Sequence, residues 1–242
     1  MIDFHAHILP GMDDGSESVK DSLRMLRYSA SQGITSIVAT PHFYAEHESP
    51  HSFLKRRGEA WKLLQEGCRG EAGLPGIFPG AEVRMFSGMA ASEEIEKLAI
   101  AGTRYILIEM PFERWTENVF RTLSSVRAKG LHPIIVHIER YVSFQKGTDN
   151  IERLLSGDVL IQANAEAFLK RFGSRWAMRM LSQGRVHLLG SDCHNMTSRP
   201  PNLGEGAEVI RRKLGEDVIR DISRRAERIL DGAERYSFDS RQ

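Results

Sequence analysis

Short apolar runs alternate along this chain with longer stretches in which apolar residues recur every three or four positions. The runs occupy 1–7, 35–39, 77–81, 105–108, 133–136, 159–162 and 187–190, and their near-continuous apolar character predicts buried parallel strands. Between them, Val19, Leu23, Leu26 and Ala30 mark a helix over 16–32, and Ser49-Pro50, a cap followed by proline, opens another over 53–66. Val119, Leu123 and Val126 mark a third helix, and residues 175–183 form a fourth. Val218, Ile222, Ala226 and Ile229 stripe a closing helix over 216–230. Gly33, Gly130 and Gly184 stand where three of these helices should stop. Seven strands alternating with helices predict the α/β class, and no linker, repeat or low-complexity segment divides residues 1–242, so one domain is expected.

The runs share a second property: nearly all stop at a histidine or a carboxylate. The first carries His5 and His7, which alternation puts on one face. The second runs into Thr40-Pro41-His42 and the third into Glu82. The others reach Glu109, His137 and Ser191-Asp192-Cys193-His194, while 159–162 ends near Asn164. Metal-ligand side chains gathered at one end of successive strands predict a metal-dependent barrel, because an open sheet would scatter them. The tail after Gly232 reads as loosely ordered.

Composition narrows the class further. A chain of 242 residues with 41% hydrophobic and 27% charged positions suits a globular barrel. A net charge of +1 argues against a nucleic-acid partner, and the late basic residues Arg211-Arg212-Lys213 have acidic neighbours such as Glu216 and Asp217. Two cysteines fit a reducing compartment. With no apolar run of membrane-spanning length and no secretory leader pattern, the expectation is a cytoplasmic protein without direct membrane insertion.

The candidate ligands are His5, His7, Asp14, His42, Glu82, Glu109, His137, Asp192 and His194. Five imidazoles and four carboxylates exceed one tetrahedral site and suit two or three divalent metals. Mixed nitrogen and oxygen donors without thiolate favour manganese, iron or zinc. Three such ions would outweigh the four carboxylates and attract a phosphate ester. His47, His51, His132 and His187 lack the phase, and Asp14 in Gly11-Met12-Asp13-Asp14-Gly15 also reads as turn chemistry. Glu82 and Glu109 are harder to dismiss, since each ends an apolar run where an unpaired charge is costly.

His5-Ala6-His7 with Asp14-Gly15, Ala39-Thr40-Pro41-His42, Gly80-Ala81-Glu82, Glu109, His137 and Asp192-Cys193-His194 resemble the PHP (polymerase and histidinol phosphatase) superfamily. Within it, Leu9-Pro10-Gly11-Met12-Asp13-Asp14-Gly15, His137-Ile138-Glu139-Arg140-Tyr141 and Arg199-Pro200-Pro201 look like the bacterial tyrosine-protein phosphatases of capsule and exopolysaccharide operons. The resemblance implies a distorted seven-stranded (βα)7 barrel. It also implies three divalent metals, manganese first with iron or zinc as alternatives. The activity it implies is hydrolysis of phosphotyrosine on a tyrosine autokinase, by hydroxide generated at the metals. His5, His7, Glu82 and Asp192 would hold one metal. Glu82 would bridge to a second, shared with Glu109 and His137. Asp14, His42 and His194 would hold the third, and Arg140 and Arg199 would grip the phosphate.

After His42 the chain departs from many relatives, reading Phe43-Tyr44-Ala45-Glu46-His47 without an adjacent second histidine. Phe43, Tyr44, Phe112 and Trp115 follow strand ends, where they either clasp an aromatic substrate or pack a loop. A small-molecule phosphomonoesterase such as a histidinol phosphatase, or a phosphodiesterase, stands as the alternative. A binding module with a degenerate site is disfavoured because no ligand is missing. Cys193 and Arg199 also satisfy the Cys-x5-Arg spacing of thiolate phosphatases, but Pro200-Pro201 follows where a helix should begin. Cys193 is therefore expected to be dispensable.

Overall fold

Two serines start the first long helices. Ser18 Oγ accepts from Asp21 N at 3.2 Å ahead of α1 (Val19–Ser31), and Ser49 Oγ accepts from Ser52 N at 3.2 Å ahead of α2 (Pro50–Gly67). The computed structural model describes residues 1–170, 174–231 and 233, so the tail after Gly232 lies, Ala233 apart, outside the described residues. The strands are β1 (Ile2–Ala6), β2 (Ser36–Ala39), β3 (His42–Phe43), β4 (Gly76–Pro79), β5 (Glu82–Arg84), β6 (Tyr105–Glu109), β7 (His132–Ile135), β8 (Leu160–Asn164) and β9 (Leu188–Gly190). The remaining helices are α3 (Glu117–Ala128), α4 (Asn150–Leu155), α5 (Glu166–Leu169), α6 (Ser174–Ser182), α7 (Leu203–Leu214) and α8 (Glu216–Leu230). The pattern of apolar positions did not single out α4, α5 or α7.

All strand pairs are parallel, in one sheet ordered β1-β2-β4 and a second ordered β3-β5-β6-β7-β8-β9. The α/β class and the curled parallel sheet follow the expectation. The strand count differs, because past breaks at Thr40-Pro41 and Gly80-Ala81 the chain resumes as β3 and β5, beyond two of the expected runs. The ladder steps across these breaks: Thr40 N donates to Ala6 O at 2.9 Å, Gly80 N to Ala39 O at 2.8 Å and Glu82 N to Pro41 O at 3.0 Å. Pro41 has no N–H to give. Beyond β9, Asp192 N donates to His5 O at 2.7 Å and His7 N to Cys193 O at 2.9 Å, around an isolated parallel bridge between Ala6 and Cys193.

Glu82, Leu107 and Ile134 are register partners on β5, β6 and β7, so their side chains share one face. On that face Phe4, Val38, Phe78, Leu107, Ile134 and Leu188 form an apolar layer that Ala226, Ile229 and Leu230 of α8 close. Each such side chain contributes roughly 1.5–3 kcal/mol by leaving water. A register shift helps β1 serve both this layer and the site. Asp3 pairs with Ile37 but Ala6 with Ala39, so β1 carries one extra residue. Phe4 joins the apolar layer while His5 and His7 still reach the same carboxylate. The other helices pack on a larger core that includes Met25, Phe53, Leu64 and Ile135.

Candidate metal centre

His5 Nε2 and His7 Nε2 lie 3.1 Å apart, and both point at two carboxylates. His5 Nε2 is 3.0 Å from Glu82 Oε2 and 3.6 Å from Asp192 Oδ1; His7 Nε2 is 3.2 and 3.5 Å from the same atoms. Ligand atoms held roughly 2.0–2.2 Å from one tetrahedral ion lie about 3.3–3.6 Å from one another, close to this spacing. His137 Nε2 stands 2.8 Å from Glu82 Oε1 and 3.8 Å from Glu109 Oε1, so the two oxygens of Glu82 face different sets of donors. His42 Nδ1 approaches Glu82 Oε2 at 3.0 Å. Asp14 Oδ1 lies 3.5 Å from His42 Nε2 and 3.4 Å from His194 Nε2. All nine expected ligands therefore converge at the ends of β1, β3, β5, β6, β7 and β9 and on the adjoining loops. Asp14, with a side chain 67% exposed, forms the rim, and the others line the floor.

These residues fit divalent metals on three counts: the spacing, the donor types, and His194 Nε2, which is buried without a hydrogen bond while His194 Nδ1 meets Asp192 O at 3.0 Å. Groups of donor atoms within 4.8 Å of one another include His5, His7, Glu82 and Asp192, then His42, Glu82 and Glu109, then His7, His42 and His194.

Sequence reasoning missed the residues that aim the ligands. Asp13 Oδ2 accepts from His7 Nδ1 at 2.7 Å and from His42 N at 2.8 Å, while its Oδ1 accepts from Gly15 N at 2.9 Å. Asp13, not the Asp14 to which turn chemistry was ascribed, thus holds the turn and also leaves His7 Nε2 free for a metal. Gly15 is needed for this close approach, since a Cβ there would lie 2.5 Å from His7 Cβ. The other braces come from β8, whose end supplies no candidate ligand. Gln162 Oε1 accepts from His137 N at 2.7 Å, Gln162 Nε2 donates to Asn164 Oδ1 at 3.0 Å, and Asn164 Nδ2 donates to Asp192 Oδ2 at 2.9 Å. Polar residues alternating at a strand end were the available signal. His137 and Asp192 are left-handed, at φ 35° and 54°. Such backbone costs about 1–3 kcal/mol and persists where surroundings hold it, as this relay does.

Burial and mutual charge set the ionisation. Burial alone would raise Glu82, yet the imidazoles of His5, His137 and His42 hold it well below the usual carboxylate range. Burial and the Glu82 carboxylate push Glu109 up to about 7. Burial opposes protonation of His7, but Asp13 beside it prevails and raises it well above the usual value. Burial, His7 and Arg199 push His194 down to about 4.

Arg140 and Arg199 meet on opposite oxygens of Asp192: Arg140 pairs with Oδ2, and Arg199 Nη2 lies 2.7 Å from Oδ1. Each guanidinium side chain is about a third exposed, at 34% and 35%. Cys193 is fully buried, and burial drives its thiol upward. The amides of Thr197, Ser198 and Arg199, which a thiolate phosphatase would turn to phosphate, all donate to Asn195 Oδ1, at 2.9, 2.8 and 3.2 Å. Cys193 forms an isolated parallel bridge with Ala6, directly after the left-handed Asp192.

The histidines read as ordinary stay outside the groups of donors. His187 Nδ1 accepts from Ile161 N at 2.9 Å, His132 packs on Tyr105 and His51 is exposed. His47 meets the edge of Tyr44 and borders a 370 Å³ cavity that Asp14 and His42 also line. The four aromatic candidates divide. Phe43 and Trp115 are buried, whereas Tyr44 stacks on His42 and Phe112 on His137.

The capsular polysaccharide synthesis CpsB/CapC family model matches residues 1–231. The chain belongs to this family. Among its relatives, the tyrosine-protein phosphatase YwqE of Bacillus subtilis (strain 168) is 30% identical, over 95% of this chain and 91% of the relative. The tyrosine-protein phosphatase CpsB of Streptococcus agalactiae serotype III (strain NEM316) is 28% identical, over 92% and 94%. A solved chain described among crystal structures of YwqE from Bacillus subtilis and CpsB from Streptococcus pneumoniae, unique metal-dependent tyrosine phosphatases, superimposes with a TM-score of 0.81. It is 26% identical, covering 98% of this chain and 97% of the other. A TatD-like protein from Archaeoglobus fulgidus, 13% identical with a TM-score of 0.55 over 96% of this chain and all of the other, shares the fold alone.

Proposed function

We propose that this CpsB/CapC family chain is a metal-dependent protein-tyrosine phosphatase, whose protein substrate is a tyrosine autokinase of capsule or exopolysaccharide synthesis. The observation that carries the reading is the convergence of four donor atoms from His5, His7, Glu82 and Asp192 at 3.0–3.6 Å, with an arginine on each oxygen of Asp192. The names of the similar proteins point the same way.

Three divalent ions suit the donors, with manganese ahead of iron or zinc because imidazole and carboxylate are mixed. His5, His7, Glu82 and Asp192 would hold one, and Glu82 would share a second with Glu109 and His137. Asp14, His42 and His194 would hold the third. Such ions supply Lewis-acid charge and lower the pKa of a coordinated water. The chain's own residues do the rest. Asp13 presents His7 Nε2, and the Gln162–Asn164 relay fixes His137 and Asp192. Arg140 and Arg199 turn their remaining N–H groups to the phosphoryl oxygens, which a planar guanidinium binds in pairs. Burial of Cys193 and the capping of its loop amides by Asn195 weigh against a thiolate nucleophile.

In the same reading, β2 with β3 and β4 with β5 each count as one stave of a distorted seven-stave barrel closed at Ala6 and Cys193, forming one domain over 1–242. No helix among the described residues is long and apolar enough to cross a membrane, and a cytoplasmic site of action is the setting that suits an autokinase substrate.

Metal analysis of the purified protein, run with parallel assays on a phosphotyrosyl peptide and histidinol phosphate, tests this function. The expected result is two to three ions per chain, faster hydrolysis of the peptide, and loss of activity on chelation with recovery on manganese. Full activity in demonstrably metal-free protein would overturn the mechanism. Faster hydrolysis of histidinol phosphate would favour the small-molecule alternative.

A further inference from the structure

Large side chains beside the metal centre are mostly buried, but two phenylalanines are not. Phe112 is 37% exposed and Phe144 is 43% exposed, on separate loops that follow β6 and β7. Their rings meet edge to face with centroids 5.9 Å apart, and Phe112 stacks over the His137 ring at 6.0 Å and 17°. An exposed aromatic pair on mobile loops would be unremarkable, but these loops are braced by buried polar groups. Met110 N donates to Tyr141 Oη at 2.9 Å, Trp115 N to Gln145 Oε1 at 3.0 Å, Gln145 Nε2 to Glu113 O at 2.7 Å and Asn150 Nδ2 to Trp115 O at 3.0 Å. Tyr141 is fully buried and Gln145 is 2% exposed. The protein thus holds two apolar rings rigidly in water next to an ionic site, a placement that favours an aromatic ligand by reducing the ordering cost of binding.

Tyr44, on the other side of the cluster, is a weaker platform. His42 stacks on its ring at 5.1 Å and 24°, and the Arg84 guanidinium carbon lies 5.7 Å from its centroid. Phe112 by contrast keeps exposed ring surface beside His137, and Arg140 follows His137 by three positions. An aryl phosphate ester places its ring directly beyond the phosphoryl group, so a phosphate held by Arg140 brings that ring against this wall.

We infer that Phe112, supported by Phe144, is the platform for the aryl ring of phosphotyrosine and sets the preference for aryl over alkyl phosphate esters; this rests on the phosphatase reading. The test compares wild type with Phe112→Ala, Phe112→Leu, Phe144→Ala and Tyr44→Ala on a phosphotyrosyl peptide and on glycerol phosphate. Calorimetric binding of a peptide carrying phosphonomethyl-phenylalanine and metal content are measured alongside. The ratio of kcat/KM for the peptide over glycerol phosphate should fall about tenfold in both Phe112 variants and severalfold in Phe144→Ala. Phosphonate affinity should weaken in parallel while metal content holds. Phe112→Leu keeps a sizeable apolar side chain without the ring, so it carries the test if the alanine variant fails to fold. Equal losses on both esters, an unchanged ratio, or a selective loss confined to Tyr44→Ala would overturn the inference. A wild-type protein inactive on the peptide would instead overturn the phosphatase reading itself.

Discussion

The same strands build two regions of opposite chemistry on one face of the sheet. Low on that face, Phe4, Val38, Phe78, Leu107, Ile134 and Leu188 pack against α8. A few residues further along the same strand runs stand His5, His42, Glu82, Glu109, His137 and Asp192. The lower layer stabilises the fold, because every side chain leaves water for apolar neighbours. The upper layer opposes folding, because buried carboxylates and imidazoles must be reconciled with one another: Glu109 is pushed up to about 7 and His194 down to about 4. The strand runs of both sheets therefore separate stability from chemistry along their length, and substitutions in the two layers should fail in different ways.

The largest effect should come from Glu82→Ala. Its two oxygens face different sets of donors, so hydrolysis should fall on the order of a thousandfold or more. Metal analysis should show reduced content with the fold retained, and thermal unfolding of the metal-free protein should shift down, because the imidazoles of His5, His42 and His137 lose the carboxylate they hold ionised. A variant with full metal content and near-normal rate would break the comparison at its upper layer.

Leu107→Ala lies two residues below Glu109 and should behave in the opposite way. It removes a fully buried side chain and should cost about 2–5 kcal/mol in chemical denaturation. The folded fraction should keep its metal. Loss of metal without loss of stability would show that the layers are not separable.

Arg199→Ala should slow phosphotyrosine hydrolysis by roughly a hundredfold, through lost phosphate contacts. Cys193→Ser, one residue from two ligands but turned into the core, should retain most activity. A folded, metal-loaded but inactive Cys193→Ser protein, or a trapped phosphocysteine, would move the chemistry from the metals to the thiol.

A smaller effect comes from pH. Glu109 keeps its proton up to about pH 7, and Asp13 extends protonation of His7 above the usual imidazole range. A divalent ion must displace those protons, so metal affinity should rise with pH through about 7 and weaken below it. Competition with a chelator between about pH 6 and pH 8 should show a change of about tenfold. A flat profile would mean that these groups are already deprotonated in the metal-free protein.

The convergence of the donors was legible because strand ends bring such groups to one edge, and a polar residue ending an apolar run is visible without coordinates. The aiming residues were harder to read. Asp13 and Asp14 are chemically identical neighbours, and only the turn decides that Asp13 accepts from His7 while Asp14 faces His42 and His194. Gln162 and Asn164 carry no ligand signature, since their role is to bond groups on other strands. Phe43 and Phe112 follow strand ends in the same manner, yet one is fully buried and the other 37% exposed.

The order of apolar runs, the helix start at Ser49-Pro50 and the identity of the nine donors were determined by the sequence, because each depends on local periodicity or side-chain chemistry. The extra residue in β1, the breaks at Thr40-Pro41 and Gly80-Ala81, and the left-handed backbone at His137 and Asp192 were decided by the tertiary structure. Each depends on where a neighbouring strand offers its hydrogen bonds. That information is spread over residues as far apart as His5 and Asp192, and it acts only once the sheet has curled to bring them together.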